Sequence, residues 1–298
     1  MIYLAVFLAS LSFNIVLMKI AYPLKLLDHP TNRKNHRNSI PFTGGLAVTF
    51  SLLVFGFKEP ILMLSIPMLL LGLLDDIRGI SYKLKFTSQT LWAVVVLLTL
   101  RPSLRIFGMV LPDIVSWILF IFWYVTMVNA FNLVDGIDGL AGSVAFFSFL
   151  TVKEGLYPSA LAGFLIYNLP PAKVFLGDSG ALFIGSLLSL ISLKMMNFDL
   201  AYATIFLGLP AYEVSTTFFR RVLKHRNPFL PDRNHTHHVF QNRFGTWKAL
   251  SILISYSLVC NLLGLTEKLY TLFLYLALSF VILLLKTRFQ SSYSNFNL

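Results

Sequence analysis

The sequence is poor in charge and almost free of cysteine. Asp, Glu, Lys and Arg make up only 12% of its 298 residues, whereas hydrophobic residues make up 56%. This composition excludes an ordinary soluble domain of the same length. The single cysteine, Cys260, can form no disulfide within the chain and offers no cysteine cluster to a metal. No linker, low-complexity segment or internal repeat interrupts the sequence, so we predict a single domain over residues 1–298.

Apolar runs of nearly bilayer-spanning length recur along the whole sequence. We expect the first run to be a retained helix rather than a signal peptide, because no basic residue precedes it and no convincing cleavage site follows it. The segment 101–112 alternates around a glycine between two prolines, which predicts a short β-hairpin. The runs predict an all-α polytopic integral membrane protein with about eleven transmembrane helices, at about 2–22, 42–57, 60–75, 86–100, 113–131, 138–152, 157–169, 180–195, 200–222, 248–264 and 268–286.

The basic residues predict how these helices are oriented. The net charge of +11 would suggest a nucleic-acid partner if the protein were soluble. Here the basic residues lie between the apolar runs, and the preference of Lys and Arg for cytoplasmic loops explains them better. An outside N-terminus places 18 of the 24 Lys and Arg on the inner face and six on the outer face. We therefore predict an outside N-terminus, a cytoplasmic C-terminus, an outer hairpin and no nucleic-acid partner.

Five polar clusters all fall on the predicted inner face. They lie at 28–45, 75–89, 129–142, 168–180 and 225–243, whereas the outer segments are short and plain. A secondary transporter would rather place ionisable groups near the bilayer midplane, on a path open to both faces. One-sided clustering favours an active site that faces the cytoplasm, with a transporter as the alternative.

The third of these clusters reads NAFNLVDGIDGLAG and contains two Asn and two Asp at intervals of three residues. They are Asn129, Asn132, Asp135 and Asp138. Three glycines make one straight helix across this stretch unfavourable. We predict a helix end that carries the two Asn, a tight turn, and a new helix near Asp138, with the polar groups turned towards one small volume. Acids in so apolar a chain indicate function.

Two further clusters carry acids at helix ends. Asp75 and Asp76 end the third run, where paired carboxylates can bind a divalent metal or take up a proton. Alternatively they are solvated acids balanced by nearby cations. Lys85 follows, either as a membrane-anchoring charge or as a phosphate ligand. Asp178 stands between two glycines at the start of a run, which suits an Mg²⁺ that carries a diphosphate and leaves free helix N–H groups for an anion. Its alternative role is a helix N-cap.

Aromatic and basic side chains lie beside these acids. Phe175 could stack on a base or be an ordinary apolar contact, and Asn168 opens the same stretch, NLPPAKVFLGDSG. The sequence NPFLPDRNHTHHVFQNR contains three of the six histidines. No cysteine or further ligand at zinc spacing accompanies them, so we prefer phosphate contact and charge stabilisation for Arg233, His235, His237 and His238. The alternatives are a metal site and an ordinary interfacial loop. Together the clusters suggest Mg²⁺-assisted chemistry on phosphates at a membrane surface.

The clusters also resemble, over nearly the whole chain and in the same order, the polyprenyl-phosphate N-acetylhexosamine-1-phosphate transferases. This family includes the phospho-MurNAc-pentapeptide translocases. The matching motifs are DHPTNRKNH with PFTGG, GLLDDIRG with KLKF, NAFNLVDGIDGLAG, NLPPAKVFLGDSG and PDRNHTHH. The HTHH form is similar to the bacterial branch that begins O-antigen, enterobacterial common antigen and teichoic acid synthesis, whereas the translocases carry three consecutive histidines.

The resemblance implies a single transmembrane catalytic domain with a defined reaction. Undecaprenyl phosphate would attack the β-phosphate of a UDP-N-acetylhexosamine, with UDP-GlcNAc as the expected donor. UMP would leave, and a lipid-linked diphosphosugar would form at the cytoplasmic face of the bacterial inner membrane. Mg²⁺ is the expected cofactor, with Mn²⁺ as an alternative, and a homodimer is left open. The alternatives are a phospho-MurNAc-pentapeptide transferase, a secondary transporter, an aromatic prenyltransferase and an inactive scaffold.

The resemblance also implies roles for the candidate residues. Asp178 would ligate Mg²⁺ with Asn132 nearby, and Asp75 would be the base that deprotonates the lipid phosphate. Asp76 would orient phosphate or metal, and Phe175 would stack on uracil. The remaining implied contacts are Asp135 and Asp138 to nucleotide and diphosphate, Asn168 near the nucleoside, Lys85 to substrate, and Arg233, His235, His237 and His238 to sugar and phosphate, with His237 and Asp138 counted as catalytic.

Overall fold

The computed structural model describes residues 1–29, 38–225 and 235–294, with side chains up to residue 290. In this part of the chain thirteen α-helices accompany two small antiparallel sheets. The helices are α1 Ile2–Leu24, α2 Gly44–Gly56, α3 Pro60–Arg78, α4 Tyr82–Leu100, α5 Asp113–Val134, α6 Leu140–Thr151, α7 Leu156–Asn168, α8 Gly177–Met195, α9 Leu200–Phe206, α10 Gly208–Leu223, α11 Thr236–Phe244, α12 Thr246–Leu265 and α13 Tyr270–Ser294.

The two sheets have two strands each. Strand β1 (Leu27–Asp28) pairs with β2 (Ile40–Pro41), and β3 (Arg105–Ile106) pairs with β4 (Met109–Val110). The second pair falls within the segment for which the sequence predicts a hairpin. The side chain of Asp199, just before α9, accepts a hydrogen bond from Gly108 N–H at 2.7 Å and so ties this β-turn to the helix bundle.

The predicted apolar runs coincide with helices, with one division and one addition. The run 200–222 consists of two helices, α9 and α10, which meet at Leu207. Helix α11, which carries the three histidines, is short and polar, so hydropathy gave no sign of it. Six of the described helices are long and apolar enough to cross a membrane: α1, α3, α5, α8, α12 and the Tyr270–Gln290 part of α13. How many helices cross, and in which direction, stays a prediction.

Helix α8 is the centre of the bundle. Within its most apolar window 83% of the residues are buried, against 50% or less in the other five candidate spans. It packs against α2, α3 and α5. Gly45 of α2 and Gly180 of α8 touch backbone to backbone, and a methyl group on either would collide with the other. Such small-residue contacts allow membrane helices to approach closely, where lipid supplies no hydrophobic drive for association.

Buried polar side chains inside the bundle pair with one another. Tyr124 Oη lies 2.7 Å from Ser186 Oγ, which in turn lies 2.9 Å from Ser65 Oγ, so that α5, α8 and α3 are joined. Gln89 of α4 and Asn129 of α5 exchange two side-chain hydrogen bonds, of 3.3 and 2.6 Å. Because an unpaired amide in an apolar interior is costly, these pairs fix the register of neighbouring helices.

Candidate active site

Polar side chains gather at one end of the bundle. Helices α3, α5 and α7 end there, and α6 and α8 begin there. The acids and amides that the sequence singles out lie at or beside these helix ends, which is where a polar side chain can leave the apolar core. They are Asp75, Asp76, Asn132, Asp135, Asp138, Asn168 and Asp178.

Lys85 joins two of the carboxylates. Its Nζ atom donates to Asp75 Oδ2 at 2.7 Å and to Asp178 Oδ2 at 2.6 Å. The other oxygen of Asp75 accepts from the Ile80 N–H at 2.9 Å. The side chain of Asp178 is 35% exposed, whereas those of Asp75 and Lys85 are 15% and 14% exposed. Asp178 is therefore the member of this trio that a solvent-borne ligand reaches most easily.

Asp76 binds the beginning of α8. Its two oxygens accept hydrogen bonds from the N–H groups of Asp178 and Ser179, at 2.8 and 2.9 Å. The expectation that this helix start offers free N–H groups to an anion is therefore wrong for these two groups, because a carboxylate of α3 already occupies them. Asp76 thus caps α8 from another helix, and Asp178 stands inside the first turn instead of capping it.

The turn between α5 and α6 is held by two predicted site residues. Asn168, which is 3% exposed, accepts from the Gly139 N–H at 3.1 Å and donates to the Val174 carbonyl at 2.9 Å. Asp138 accepts from the Ala172 N–H at 2.9 Å. Both side chains therefore shape the backbone around the site, and their contact with a nucleotide stays a prediction.

The predicted turn is confirmed, with α5 ending at Val134 and α6 beginning at Leu140. The four spaced polar residues are not all turned to one volume, however. Asn129 faces the interior of the bundle, where it pairs with Gln89. Asn132, one turn further along, lies in the last turn of α5, just before the cluster of acids.

Asp135 stands among like charges. Burial is the largest cause that raises the pKa of its carboxyl to about 7, and the negative charges of Asp178, Asp76 and Asp138 add to it. Four carboxylates from separate helix ends are thus close enough to repel one another. Such a cluster is relieved by protonation or by a cation.

The backbone of Phe175 connects the site to α2. Its N–H donates to the Pro41 carbonyl at 2.8 Å, and its own carbonyl accepts from the Gly44 N–H at 3.0 Å. The predicted stacking of its ring on a base is not tested by these contacts.

The three histidines lie together at the start of α11. The His237 ring centroid is 5.4 Å from that of His235 and 4.3 Å from that of His238. The His237 ring also lies against Gly136, in the turn after Asp135, where an added methyl group would collide with it. The histidine cluster therefore adjoins the acids, as the sequence predicts. Arg233 lies outside the described residues.

His237 differs from the predicted charge stabiliser. Burial lowers the pKa of its ring to about 3, in spite of the opposing charge of Glu213. The ring is therefore neutral at physiological pH, and it can act through a hydrogen bond but not through a positive charge.

Two buried charged residues beside the histidines were missed by the sequence reasoning. Glu213 and Lys286 are 1% and 2% exposed. The signal was present for Glu213, because it is the single acid in the predicted span 200–222, and an ionisable residue inside a span indicates function. Lys286 closes an apolar run, where a basic residue is ordinary, and nothing in the sequence distinguishes it.

No three His, Cys, Asp or Glu side chains form a closed metal cage in the described part of the chain. A metal ion at this end of the bundle would therefore need ligands beyond these side chains, such as water or substrate oxygens.

Comparison with known proteins agrees with this geometry. Residues 60–196 match the family described as glycosyl transferase family 4, a stretch that begins at α3 and contains Asp75, Asp135 and Asp178. An undecaprenyl-phosphate alpha-N-acetylglucosaminyl 1-phosphate transferase of Thermotoga maritima is 44% identical, over 90% of this chain and 91% of its own length. A probable enzyme of the same kind from Bacillus subtilis is 28% identical over 90% and 85%. The Escherichia coli K12 enzyme is 29% identical over 85% and 79%.

Proposed function

Because the chain belongs to glycosyl transferase family 4, we propose that it transfers N-acetylglucosamine 1-phosphate from UDP-GlcNAc to undecaprenyl phosphate. An oxygen of the lipid phosphate bonds to the β-phosphorus of the donor. The bond from that phosphorus to the bridging oxygen breaks, and UMP leaves with the electron pair. The carrying observation is the convergence of acids from α3, the α5–α6 turn and α8 at one end of the bundle, with Lys85 between two of them.

The chain is a multi-pass membrane protein, since six described helices are long and apolar enough to span a bilayer and its relatives act on a membrane lipid. Its predicted orientation puts the acid cluster on the cytoplasmic face of the inner membrane, where UDP-sugars are made. This orientation rests on the excess of basic residues at that end.

The oxygen ligands that these side chains offer suit Mg²⁺, with Mn²⁺ as the alternative. Carboxylate and amide oxygens are its preferred protein ligands, and Mg²⁺ commonly uses only one or two of them together with phosphate oxygens. The repulsion between Asp135 and the neighbouring acids supports this proposal, because a bound cation would relieve it. Asp178, with Asn132 nearby, would hold the ion. When bound, the ion neutralises charge on the diphosphate.

The acceptor needs little help from a base. A phosphomonoester loses its second proton with a pKa of about 6, so at neutral pH the lipid phosphate is largely ionised already. Both oxygens of Asp75 accept hydrogen bonds, one from Ile80 and one from Lys85, which stabilise the ionised carboxylate and make it a weaker base. Position and charge neutralisation therefore supply most of the rate, with Asp75 and Lys85 as orienting groups and Asp76 as the anchor of Asp178.

The donor lies between the acids and the histidines in this proposal. Asp135 and Asp138 face its phosphates, Phe175 offers a ring for uracil, and Asn168 shapes the nucleoside pocket. His235, His237 and His238 reach sugar and phosphate from α11, and Arg233 is assigned to the same contact from the sequence. His237 does so as a neutral hydrogen-bonding group.

The alternatives are not favoured. A phospho-MurNAc-pentapeptide transferase would use a different donor, and the relatives named above are N-acetylglucosaminyl 1-phosphate transferases. A transporter, a prenyltransferase and a scaffold have no support from these relatives.

The test is a reconstituted reaction. Purified protein in detergent is incubated with undecaprenyl phosphate, Mg²⁺ and, in separate reactions, UDP-GlcNAc, UDP-GalNAc and UDP-MurNAc-pentapeptide. UMP is measured by chromatography and the lipid product by mass. We expect UMP and undecaprenyl-diphospho-GlcNAc in stoichiometric amounts with UDP-GlcNAc. Product with the MurNAc donor alone, or none with any donor, would overturn the proposal.

A further inference from the structure

A second buried polar cluster lies where α10, α11 and α13 meet. Glu213 of α10, Thr236 and His237 of α11, and Lys286 of α13 are each 2% exposed or less. Ionised side chains are costly at such depth, and an apolar replacement of similar volume often serves stability equally well or better. A purely structural role therefore gives no reason for a charge here.

The contacts of this cluster converge on the first turn of α11. The Glu213 carboxylate accepts a hydrogen bond from the Thr236 N–H at 3.0 Å, and its other oxygen lies 3.4 Å from His235 Nδ1. From α13, Lys286 Nζ donates to Thr236 Oγ1 at 3.1 Å. His235, at the N-cap position of α11, makes no capping hydrogen bond with its own side chain. Glu213 and Lys286, from two other helices, thus grip Thr236 from both its backbone and its side chain. Glu213 also supplies the N-terminal cap of α11 from outside the helix.

The residue next to this grip is His237, and its ring is unusual. Both ring nitrogens are buried and have no hydrogen-bond partner in the described part of the chain. Unsatisfied buried nitrogens cost free energy, so the ring is held where it is by its surroundings. Those surroundings are the grip on Thr236 on one side and Gly136 of the acid-bearing turn on the other.

We propose that Glu213 is a positioning residue for the transfer reaction: by holding Thr236 it presents the ring of His237 to the 135–139 turn, where the donor binds. This inference rests on the proposed function. Glu213 acts through His237, because its carboxylate contacts the Thr236 N–H and His235, whereas the His237 ring contacts Gly136 of that turn.

The test compares three variants. Glu213→Ala removes the acceptor of the Thr236 N–H, and Glu213→Gln keeps an acceptor oxygen while it loses the charge. Thr216→Ala is the matched control, because Thr216 lies on the same helix and its hydroxyl bonds only to backbone carbonyls of α10. For each variant, kcat and KM for UDP-GlcNAc are measured on protein that elutes as a folded species.

We expect Glu213→Ala to lower kcat about 100-fold with little change in KM, since a misplaced catalytic contact costs rates of this order. Glu213→Gln should recover to within about tenfold of the parent, because the hydrogen bond to Thr236 remains. Adding His237→Ala to Glu213→Ala should cost nothing further, since groups that act as one unit are not additive. A double variant much slower than either single variant would overturn the proposal.

A chemical readout needs no activity. Diethyl pyrocarbonate modifies accessible imidazoles, so His237 should be protected in the parent and in Thr216→Ala, while His29 and His225, which are exposed, react in all proteins. In Glu213→Ala the His237 peptide should become modified. Protection unchanged from the parent would refute the claim that Glu213 holds His237 in place through Thr236. If Glu213→Ala does not fold, Glu213→Gln and Lys286→Met carry the same comparison. A parent enzyme that makes no UMP refutes the proposed function, whereas the labelling still decides whether Glu213 holds His237.

Discussion

Asp178 is the acid of the Lys85 trio that solvent reaches most easily, and so it is the residue whose charge should matter most to a metal-bound donor. Asp178→Asn keeps the shape of the side chain but removes that charge. We expect Mg²⁺-dependent UMP release to fall by about 10²–10³-fold, the usual cost of one electrostatic group in an active site. UMP is measured by chromatography at saturating donor.

Asp113→Asn is the matched control for this variant. Asp113 is an exposed acid at the opposite end of α5 from the site, and its replacement should leave UMP release unchanged. Full activity in Asp178→Asn, with protein that elutes and melts like the parent, would remove Asp178 from the metal site.

Asp135 should make stability depend on pH. Burial and the neighbouring acids raise its pKa to about 7, against an ordinary value of 3.8. Between these values the folded protein holds a proton that the unfolded chain has lost, so the stability of the fold falls as pH rises from about 4 to about 7 and is constant above that. Asp135→Asn should therefore raise the melting temperature at both pH values, and by much more at pH 8 than at pH 5, in metal-free detergent solution.

The same variant should be inactive, because in the proposed site the Asp135 charge faces the donor and an amide cannot replace that charge. Thermal melts of parent and variant at the two pH values check the prediction. An equal change in melting temperature at pH 5 and pH 8 would show that ionisation of Asp135 does not destabilise the folded protein.

The residues of the site could be named from sequence, but their partners could not. Spacing and glycine content pointed to the 129–142 stretch and to Asp178. Nothing in the sequence showed that both carboxylate oxygens of Asp76 accept hydrogen bonds from α8. Nor did it show that the side chain of Asn129 bonds to Gln89 instead of lying in the site. Those facts depend on contacts between residues that are distant in the chain, which local pattern does not contain.

At the scale of the helices, the first turn of α8 is capped by a side chain of another helix, Asp76 of α3. Asp76→Ala removes the acceptor of two N–H groups of α8. Loss of a helix cap costs about 0.5–2 kcal/mol, so this variant should melt at a lower temperature as well as lose activity. Asp178→Asn, by contrast, should lose activity without a lower melting temperature.

Ser81→Ala serves as the comparison, since Ser81 caps exposed α4 through a single 3.3 Å bond from Leu84 N–H. Its melting temperature should change less than that of Asp76→Ala. Identical melting of Asp76→Ala and the parent would leave Asp76 with a chemical role only.

Helices were more predictable than their interruptions. Long apolar runs specify helix in a bilayer, because every backbone group must be bonded within the segment. The break at Leu207 lies inside one such run and has no hydropathy signal. Helix α11 was missed because it is short and polar, and it is stabilised by contacts from α10 and α13 instead of by its own sequence.

For the whole molecule, the distribution of basic residues makes the orientation testable. Cys260 is the single cysteine and is fully buried, so the parent should react little with thiol reagents. Met109→Cys places a thiol in the β3–β4 pair, at a residue that is 68% exposed. Lys83→Cys places one in an exposed position beside the acids. In intact cells a membrane-impermeant maleimide should label the first variant and not the second.

Permeabilised cells provide the control, because both variants should then react. Labelling of Lys83→Cys in intact cells would invert the predicted topology and move the acids to the outer face.

The ion pair of Lys85 with Asp75 and Asp178 has one more consequence. The resting protein carries its own counter-ion, so the cluster is partly neutralised before any ligand arrives. A divalent cation that takes Asp178 has to compete with this internal ammonium, and we expect its affinity for the free protein to be weak. The diphosphate supplies extra oxygens only when it arrives as well, and cation and donor should therefore bind cooperatively, each raising the affinity for the other by the same factor.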